Sequence, residues 1–312
     1  MIPASKWVGG YAEWIEGDTA YLSVAFTWKL DHAFMRALSF RALGHKVRVG
    51  GPALFQAKMQ HELVELEGVQ VGGDYPDAIA RHNPAATVAS RGCPEGCSFC
   101  IVTPMEGAEF TLIPDFPVRP VLCDNNLSAL PPEYQDYIIR RYQEAGVPLL
   151  DANSGFEPKT FTPDIYERWK PLVNAGGGPW RFAYDEMHGP HGIVERREVL
   201  RVMRMLADEP AKRKRVYVLI GNEPFADCMQ RIQEVIDHGC EPHVQPVMKL
   251  VALSRDELWI RHDWNEQLLR DVARWANQWV WRKAPFREYV RSARSKPRKA
   301  DESYDEKQGL FV

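Results

Sequence analysis

Residues 20–26 read Ala-Tyr-Leu-Ser-Val-Ala-Phe, an apolar, β-prone run that predicts a strand. Asp31 is a candidate N-cap for a following helix with apolar positions at Phe34, Met35, Leu38 and Leu43, and Gly44 ends it. Lys46-Val47-Arg48-Val49 predicts a second strand, closed by Gly50-Gly51. A glycine pair after a strand serves as a turn or cradles a phosphate. This strand–helix–strand order makes residues 1–82 a small, incomplete α/β domain.

From residue 85 the alternation becomes regular. Strands are predicted at 86–90, 118–123, 147–151, 180–184, 215–220 and 241–247. Helices are predicted at 131–145, with Tyr134, Tyr137, Ile138 and Tyr142 on one side, and at 162–173, 193–206 and 224–238. Pro163 stands at a helix start, where proline is tolerated. Repeated strand–helix units imply parallel strands with helices outside. Residues 254–292 read as one long helix or a bent pair, rich in tryptophan (Trp259, Trp264, Trp275, Trp279 and Trp281). The expected division is 1–82, 83–250 and 251–312, the last a helical extension with a basic tail whose final residues, 301–312, are expected to be disordered.

Nearly every predicted strand ends in a polar or acidic group: Asp124, Asn125 and Asn126, then Asp151 and Asn153, Asp185 and Glu186, Asn222 and Glu223, and Gln245. Working residues of parallel α/β barrels gather at the C-terminal ends of strands. A single Asp or Asn there also suits a helix N-cap. The set as a whole points to a mouth lined for a polar, zwitterionic ligand.

The first of these strands runs into Cys93-Pro94-Glu95-Gly96-Cys97-Ser98-Phe99-Cys100, a C-x₃-C-x₂-C triplet. Structural zinc usually takes four protein ligands, and a cubane iron–sulfur cluster is normally held by four thiolates. Three leave one iron open to an external ligand. Gly92 and Gly96 let the backbone bend, and Pro94 stiffens it. A zinc loop and unlinked core thiols are the competing readings.

The triplet, with aromatic Phe99 before its last cysteine, resembles the signature of the radical S-adenosylmethionine (radical SAM) superfamily. The resemblance implies a partial (β/α)₆ barrel, which matches the strand–helix count. It implies a [4Fe-4S] cluster on Cys93, Cys97 and Cys100, S-adenosylmethionine on its open iron, and a small electron donor such as flavodoxin or ferredoxin. It places Phe99 near the adenine, Asp124 or Asn126 at the methionine amino group, and Asp185 at the ribose with Glu186 behind it. Gly221, Asn222 and Glu223 fall in a segment similar to the family's adenine-flanking strand, and Asn153-Ser154-Gly155-Phe156 resembles a turn of related members. The N-terminal domain is similar to the cobalamin-binding domain of one subclass. The D-x-H-x-x-G motif of that domain does not occur here, so cobalamin is not expected and a structural role is.

Composition narrows the surroundings. The chain has 312 residues, a hydrophobic fraction of 45% and a net charge of −3, so no global attraction to nucleic acid is implied. No apolar run is long enough for a bilayer span, and residues 1–18 lack a signal-peptide core. Six cysteines in a chain this long are not a disulfide scaffold, and an exposed reduced cluster needs a reducing compartment; the expectation is cytoplasmic. Cys123, Cys228 and Cys240 are expected in the core, with Cys123 a secondary candidate for the site. His188 and His191, in the loop after Asp185 and Glu186, are candidates for metal or substrate contact. Arg287, Arg291, Arg294, Lys296, Arg298 and Lys299 form a basic tail, and 212–215 a second basic patch. These carry the alternative function, a nucleic-acid-binding or nucleic-acid-modifying iron–sulfur protein.

Overall fold

A tight turn at Gly17 opens the chain, folding β1 (Tyr11–Glu16) back on β2 (Thr19–Val24) as an antiparallel pair. The computed structural model describes residues 7–56, 62–72, 75, 77–153, 155–249, 252–254 and 257–294. The chain is a mixed α/β protein built on open sheets. It divides into two compact units, one holding the described residues up to Asn125 with those of 249–257, the other those of 126–248 and from Leu258 onward.

In the first unit α1 (Leu30–Ala42) leads from β2 to β3 (Lys46–Gly50), and β4 (Val69–Val71) completes a sheet of order β1-β2-β3-β4. The expected strand–helix–strand unit is present, with β2, β3 and β4 parallel. Leu30, Ala33, Ala37 and Phe40 of α1 bury against Leu22, Val24, Val47 and Val49. Of the apolar face predicted from Phe34, Met35, Leu38 and Leu43, Phe34 packs against this core, whereas the other three are corrected: Met35, Leu38 and Leu43 are 60%, 37% and 74% exposed. Ala33 and Ala37, one turn apart between Leu30 and Phe40, let the middle of the helix approach the sheet closely. Asp31 lies inside the first turn, favourable to the helix dipole, and the N-cap position is Lys29. Gly51 is a packing glycine: a Cβ there would stand 2.3 Å from the Val24 carbonyl oxygen.

Short elements follow: α2 (Pro52–Gln56), α3 (Ala78–His82), β5 (Ala86–Thr87), β6 (Ser90–Arg91), α4 (Val102–Glu106), β7 (Thr111–Leu112) and β8 (Val121–Leu122). The strand predicted over 86–90 is therefore two, β5 pairing with β8 in parallel and β6 with β7 antiparallel.

In the second unit α5 (Pro132–Ala145), β9 (Asp151–Ala152), α6 (Pro163–Gly176), β10 (Trp180–Ala183), α7 (Gly189–Met205), β11 (Lys214–Ile220), α8 (Phe225–Asp237) and β12 (Glu241–Pro246) alternate as predicted. Thr162 caps α6 by accepting the Ile165 N–H at 3.3 Å, and Pro163 begins it. β10, β11 and β12 form a parallel sheet in that order. Along β11 Val216, Val218 and Ile220 are buried while Arg215, Tyr217 and Leu219 are half-buried. The buried row packs against Val199 and Met203 of α7 and Cys228, Ile232 and Val235 of α8. Each such aliphatic side chain contributes roughly 1.5–3 kcal/mol. These helices thus share one face of the sheet, and the opposite face carries the polar row.

Two boundaries are corrected. α7 starts four residues earlier than predicted, so His191 lies in a helical first turn rather than a loop. Of the two readings of 254–292 the helix pair is the one observed, though it starts later, at residue 266: α9 (Glu266–Asn277) begins after Asn265, whose side chain accepts the Leu268 N–H at 2.9 Å, and α10 (Phe286–Arg294) follows a short 3₁₀ turn. Trp264 and Trp275 are buried in the core with α9, whereas Trp279 is 45% exposed. Ser154, Lys296, Arg298, Lys299 and 301–312 lie outside the described residues.

Candidate functional site

The cysteine loop leaves β6 and returns through α4. Its root is tied to that helix at four points. The Gly92 N–H donates to Glu106 Oε2 at 3.0 Å, and Arg91 pairs with Glu106 Oε1 at 3.2 Å. The Cys93 N–H donates to the Gly107 carbonyl at 3.1 Å, and the Thr103 hydroxyl donates to the Cys93 carbonyl at 3.1 Å. Gly92 sits at φ +88°, and a Cβ there would meet the Glu109 carbonyl oxygen at 2.2 Å. Asn125 donates its amide to Glu106 Oε2 at 2.7 Å and to the Gly92 carbonyl at 3.3 Å.

All three thiols of the triplet are half-buried, as is Phe99. The Cys100 N–H donates to the Cys97 carbonyl at 3.0 Å, and Cys100 Sγ accepts the Val102 N–H at 3.4 Å. An N–H directed at sulfur favours the thiolate. The donor chemistry, soft sulfur on a glycine-bent loop, suits an iron–sulfur cluster. Among the described residues no group of three His, Cys, Asp or Glu side chains is placed to hold a metal ion.

Asp124 is fully buried at the same root. It accepts the Ala89 N–H at 2.9 Å and the Ser90 hydroxyl at 2.5 Å. Burial raises its carboxyl to about 6, against the opposing pull of these two hydrogen bonds. Both oxygens are used in bracing the strand that leads into the loop. Cys123 packs beside Ala86 and Val121, a core position.

In the second unit the ends of β10 and β11 are joined by Arg231 of α8, which is entirely buried. Its guanidinium donates to the Tyr184 carbonyl at 2.6 Å and to Asn222 Oδ1 at 3.2 Å. Arg231 Nε stands 3.1 Å from Glu223 Oε2, close enough for an ion pair though not aligned as a hydrogen bond. The Asn222 amide donates to the Asp185 carbonyl at 2.6 Å. Glu223 Oε1 accepts the N–H groups of Met187 and His188 at 3.1 and 3.2 Å. Asp185, Asn222 and Glu223 are therefore brought together, with Glu223 serving as a clamp. Gly221, at φ +94°, gives the turn from the end of β11 into Asn222 and Glu223.

Glu195 of α7 closes this cluster from the other side. Its Oε1 accepts the N–H groups of Asp185 and, at 3.2 Å, Glu186. Burial pushes the carboxyls of Asp185 and Glu195 upward; the charges of Glu157 and Glu186 add to the shift of Asp185 and those of Asp185 and Glu157 to that of Glu195, while Arg231 opposes the shift of Asp185. His191 Nδ1 lies 3.4 Å from Glu186 Oε2 and 3.6 Å from Glu195 Oε2, and His188 pairs with Asp227 at 3.1 Å.

The remaining candidates separate from this group. Asn126 is a cap: its side-chain oxygen accepts the Ala129 N–H at 3.1 Å. Asn153 is buried, and its Oδ1 has no hydrogen-bond partner among the described residues. Cys228 and Cys240 are core thiols whose burial pushes them up, Cys240 to about 11.

Glu106, Glu195 and Arg231 did not emerge from sequence reasoning. Arg231 carried a signal: it stands three residues after Cys228 and one before Ile232, inside the apolar arc of α8. Comparison with family models, with curated proteins and with solved structures returns no match.

Proposed function

We propose that the chain is a radical S-adenosylmethionine enzyme, with Cys93, Cys97 and Cys100 as the ligands of a [4Fe-4S] cluster and a substrate yet to be identified. The observation that carries this reading is the C-x₃-C-x₂-C triplet on a loop that leaves a short strand and is fastened at its root by Glu106. When bound, the cluster supplies the one electron that splits the sulfonium of S-adenosylmethionine into methionine and a 5′-deoxyadenosyl radical.

The chain's own residues have positioning tasks. The Glu106 and Asp124 contacts fix where the loop begins, leaving residues 93–100 to close around the cluster. Within the second unit Arg231 and Glu223 hold the Gly221–Asn222 turn near Asp185, the residues that the family resemblance assigns to adenine and ribose. Asn153 offers its unmatched oxygen to a donor on the ligand. A partial (β/α)₆ barrel belongs to the same reading. Its support is the parallel β10–β11–β12 sheet, with α7 and α8 on one face and polar side chains on the other.

A flavodoxin- or ferredoxin-like electron donor and a reducing, cytoplasmic setting follow from the chemistry. Among the described residues no helix is long and apolar enough to cross a membrane.

Anaerobic reconstitution with iron and sulfide tests the reading. The expected product is a brown protein whose reduced form gives an electron paramagnetic resonance signal that S-adenosylmethionine alters. Zinc uptake with no iron–sulfur absorbance contradicts it. Salt-dependent RNA or DNA binding by a cluster-loaded protein that never cleaves S-adenosylmethionine favours the nucleic-acid alternative.

A further inference from the structure

The polar face of the β10–β11–β12 sheet holds more donors than acceptors. Its register sets Arg181 beside Arg215, Arg215 beside Glu241, and Tyr217 beside His243. Alternation along each strand puts these five side chains on the face opposite Val216, Val218 and Val244.

Arg181 is fully engaged. Its Nε and Nη2 each donate to Asp151 at 2.6 Å, and its Nη1 donates to the Tyr217 hydroxyl. Tyr217 thus accepts from Arg181, and its own O–H has no acceptor among the described residues. Arg215 has a single carboxylate contact, 3.5 Å to Glu241 Oε2, while Arg282 takes the other oxygen of Glu241 at 2.6 Å. His243 meets the Tyr217 ring edge-on at 5.0 Å, and neither of its ring nitrogens has a hydrogen-bond partner among the described residues. Burial, then the guanidinium groups of Arg215 and Arg181, lower its imidazole to about 4, so it is neutral and carries one N–H.

Two guanidinium groups at directly paired positions repel each other, and Asp151 neutralises only one of them. Glu241 is shared between Arg215 and Arg282. A guanidinium fork, a phenol O–H and an imidazole N–H therefore face the same side with too few acceptors to satisfy them. All three belong to residues that are partly, not fully, buried.

We propose that Arg215, Tyr217 and His243 form an anion-binding site on this face, which takes the carboxylate or phosphate group of a small molecule. The guanidinium fork matches either group in a bidentate manner. The other two donors complete the coordination. The site goes beyond the radical reading and does not rest on it, since it requires neither cluster nor S-adenosylmethionine.

Titration of the intact chain with inorganic phosphate and, separately, with succinate tests the proposal. Binding is followed by calorimetry and by the imidazole resonance of His243, assigned by its loss in His243→Gln. The expected result is saturable binding of at least one anion that moves this resonance. Phosphate alone marks a phosphoryl ligand, and succinate alone a carboxylate. Arg215→Gln weakens binding by about tenfold or more, and Tyr217→Phe by about threefold, the loss expected from one charged and one neutral hydrogen bond. Should Arg215→Gln fail to fold, Arg215→Lys, which keeps the charge and loses the fork, carries the same test. A His243 resonance unmoved by both anions overturns the proposal, as does undiminished affinity in the folded Arg215 variant.

Discussion

Glu106 and Asn125 meet at 2.7 Å, and the same carboxylate oxygen also receives the N–H of Gly92. One side chain at the end of α4 thereby secures both the start of the cysteine loop and the segment that follows β8. Replacing Glu106 by Ala leaves the Gly92 N–H and the Asn125 amide without their shared acceptor. The expected cost is about 1–3 kcal/mol of stability, together with reduced iron content after reconstitution. Chemical denaturation and iron analysis of the variant check both. Full iron content at reduced stability would mean that the bracing is structural only.

Gly92 and Gly96 make a controlled comparison. Both have positive φ, +88° and +61°, but only Gly92 has backbone within clashing distance of an added Cβ. Gly96→Ala is expected to cost about 1 kcal/mol, the ordinary cost of a left-handed alanine. Gly92→Ala adds a clash with the Glu109 carbonyl and is expected to cost at least ~3 kcal/mol or to displace the loop. Thermal denaturation of the pair measures the difference, and equal midpoints would contradict the placement of Gly92.

Asp124 makes stability depend on pH. Its folded value of about 6 lies above the ordinary 3.8, so between these values the folded chain holds a proton that the unfolded chain has released. Its contribution is therefore complete below pH 3.8 and is lost as pH rises through about 6. The shift corresponds to about 3 kcal/mol. Asp124→Asn keeps an acceptor for Ala89 and a partner for Ser90 without a charge. Denaturation midpoints from pH 4 to 8 should fall more steeply in the wild type than in the variant. Parallel profiles would mean that Asp124 titrates normally.

Arg231 is expected to be among the most sensitive positions in the second unit. Arg231→Met leaves Glu223 without its cation and Tyr184 and Asn222 without their donor. Breaking a buried pair from one side costs about 3–5 kcal/mol. Adding Glu223→Gln should recover part of that loss, because the stranded charge goes with it. Urea denaturation of the single and double variants measures the recovery. Its absence would mean that the Tyr184 and Asn222 contacts carry the whole effect.

What the sequence made legible was whatever repeats along the chain. The alternation of Val216, Val218 and Ile220 with Arg215, Tyr217 and Leu219 marked β11, and the capping pair Thr162-Pro163 marked α6. Sites that depend on a single long-range approach stayed hidden. Two of the four buried positions of α1 are alanines, Ala33 and Ala37, so counting large apolar residues misplaced part of that face. The N-terminal hairpin went unseen because Trp14 and Ile15 stand among three glutamate and tyrosine neighbours that blur the alternation. At the candidate site, residue type at a strand end proved a partial guide. Asp185 and Asn222 do converge, whereas Asn126 is spent on a cap and Glu223 on a clamp. The residues that hold the site, Arg231 and Glu106, come from helices, where a charged side chain reads by default as solvent-facing.

The central claim is tested most directly by mass spectrometry for 5′-deoxyadenosine, after anaerobic incubation of the reconstituted protein with S-adenosylmethionine and dithionite. The account predicts 5′-deoxyadenosine and methionine from the wild type and neither product from Cys97→Ala. Equal product from the two proteins, or none from a wild type carrying its full complement of iron and sulfide, would contradict it.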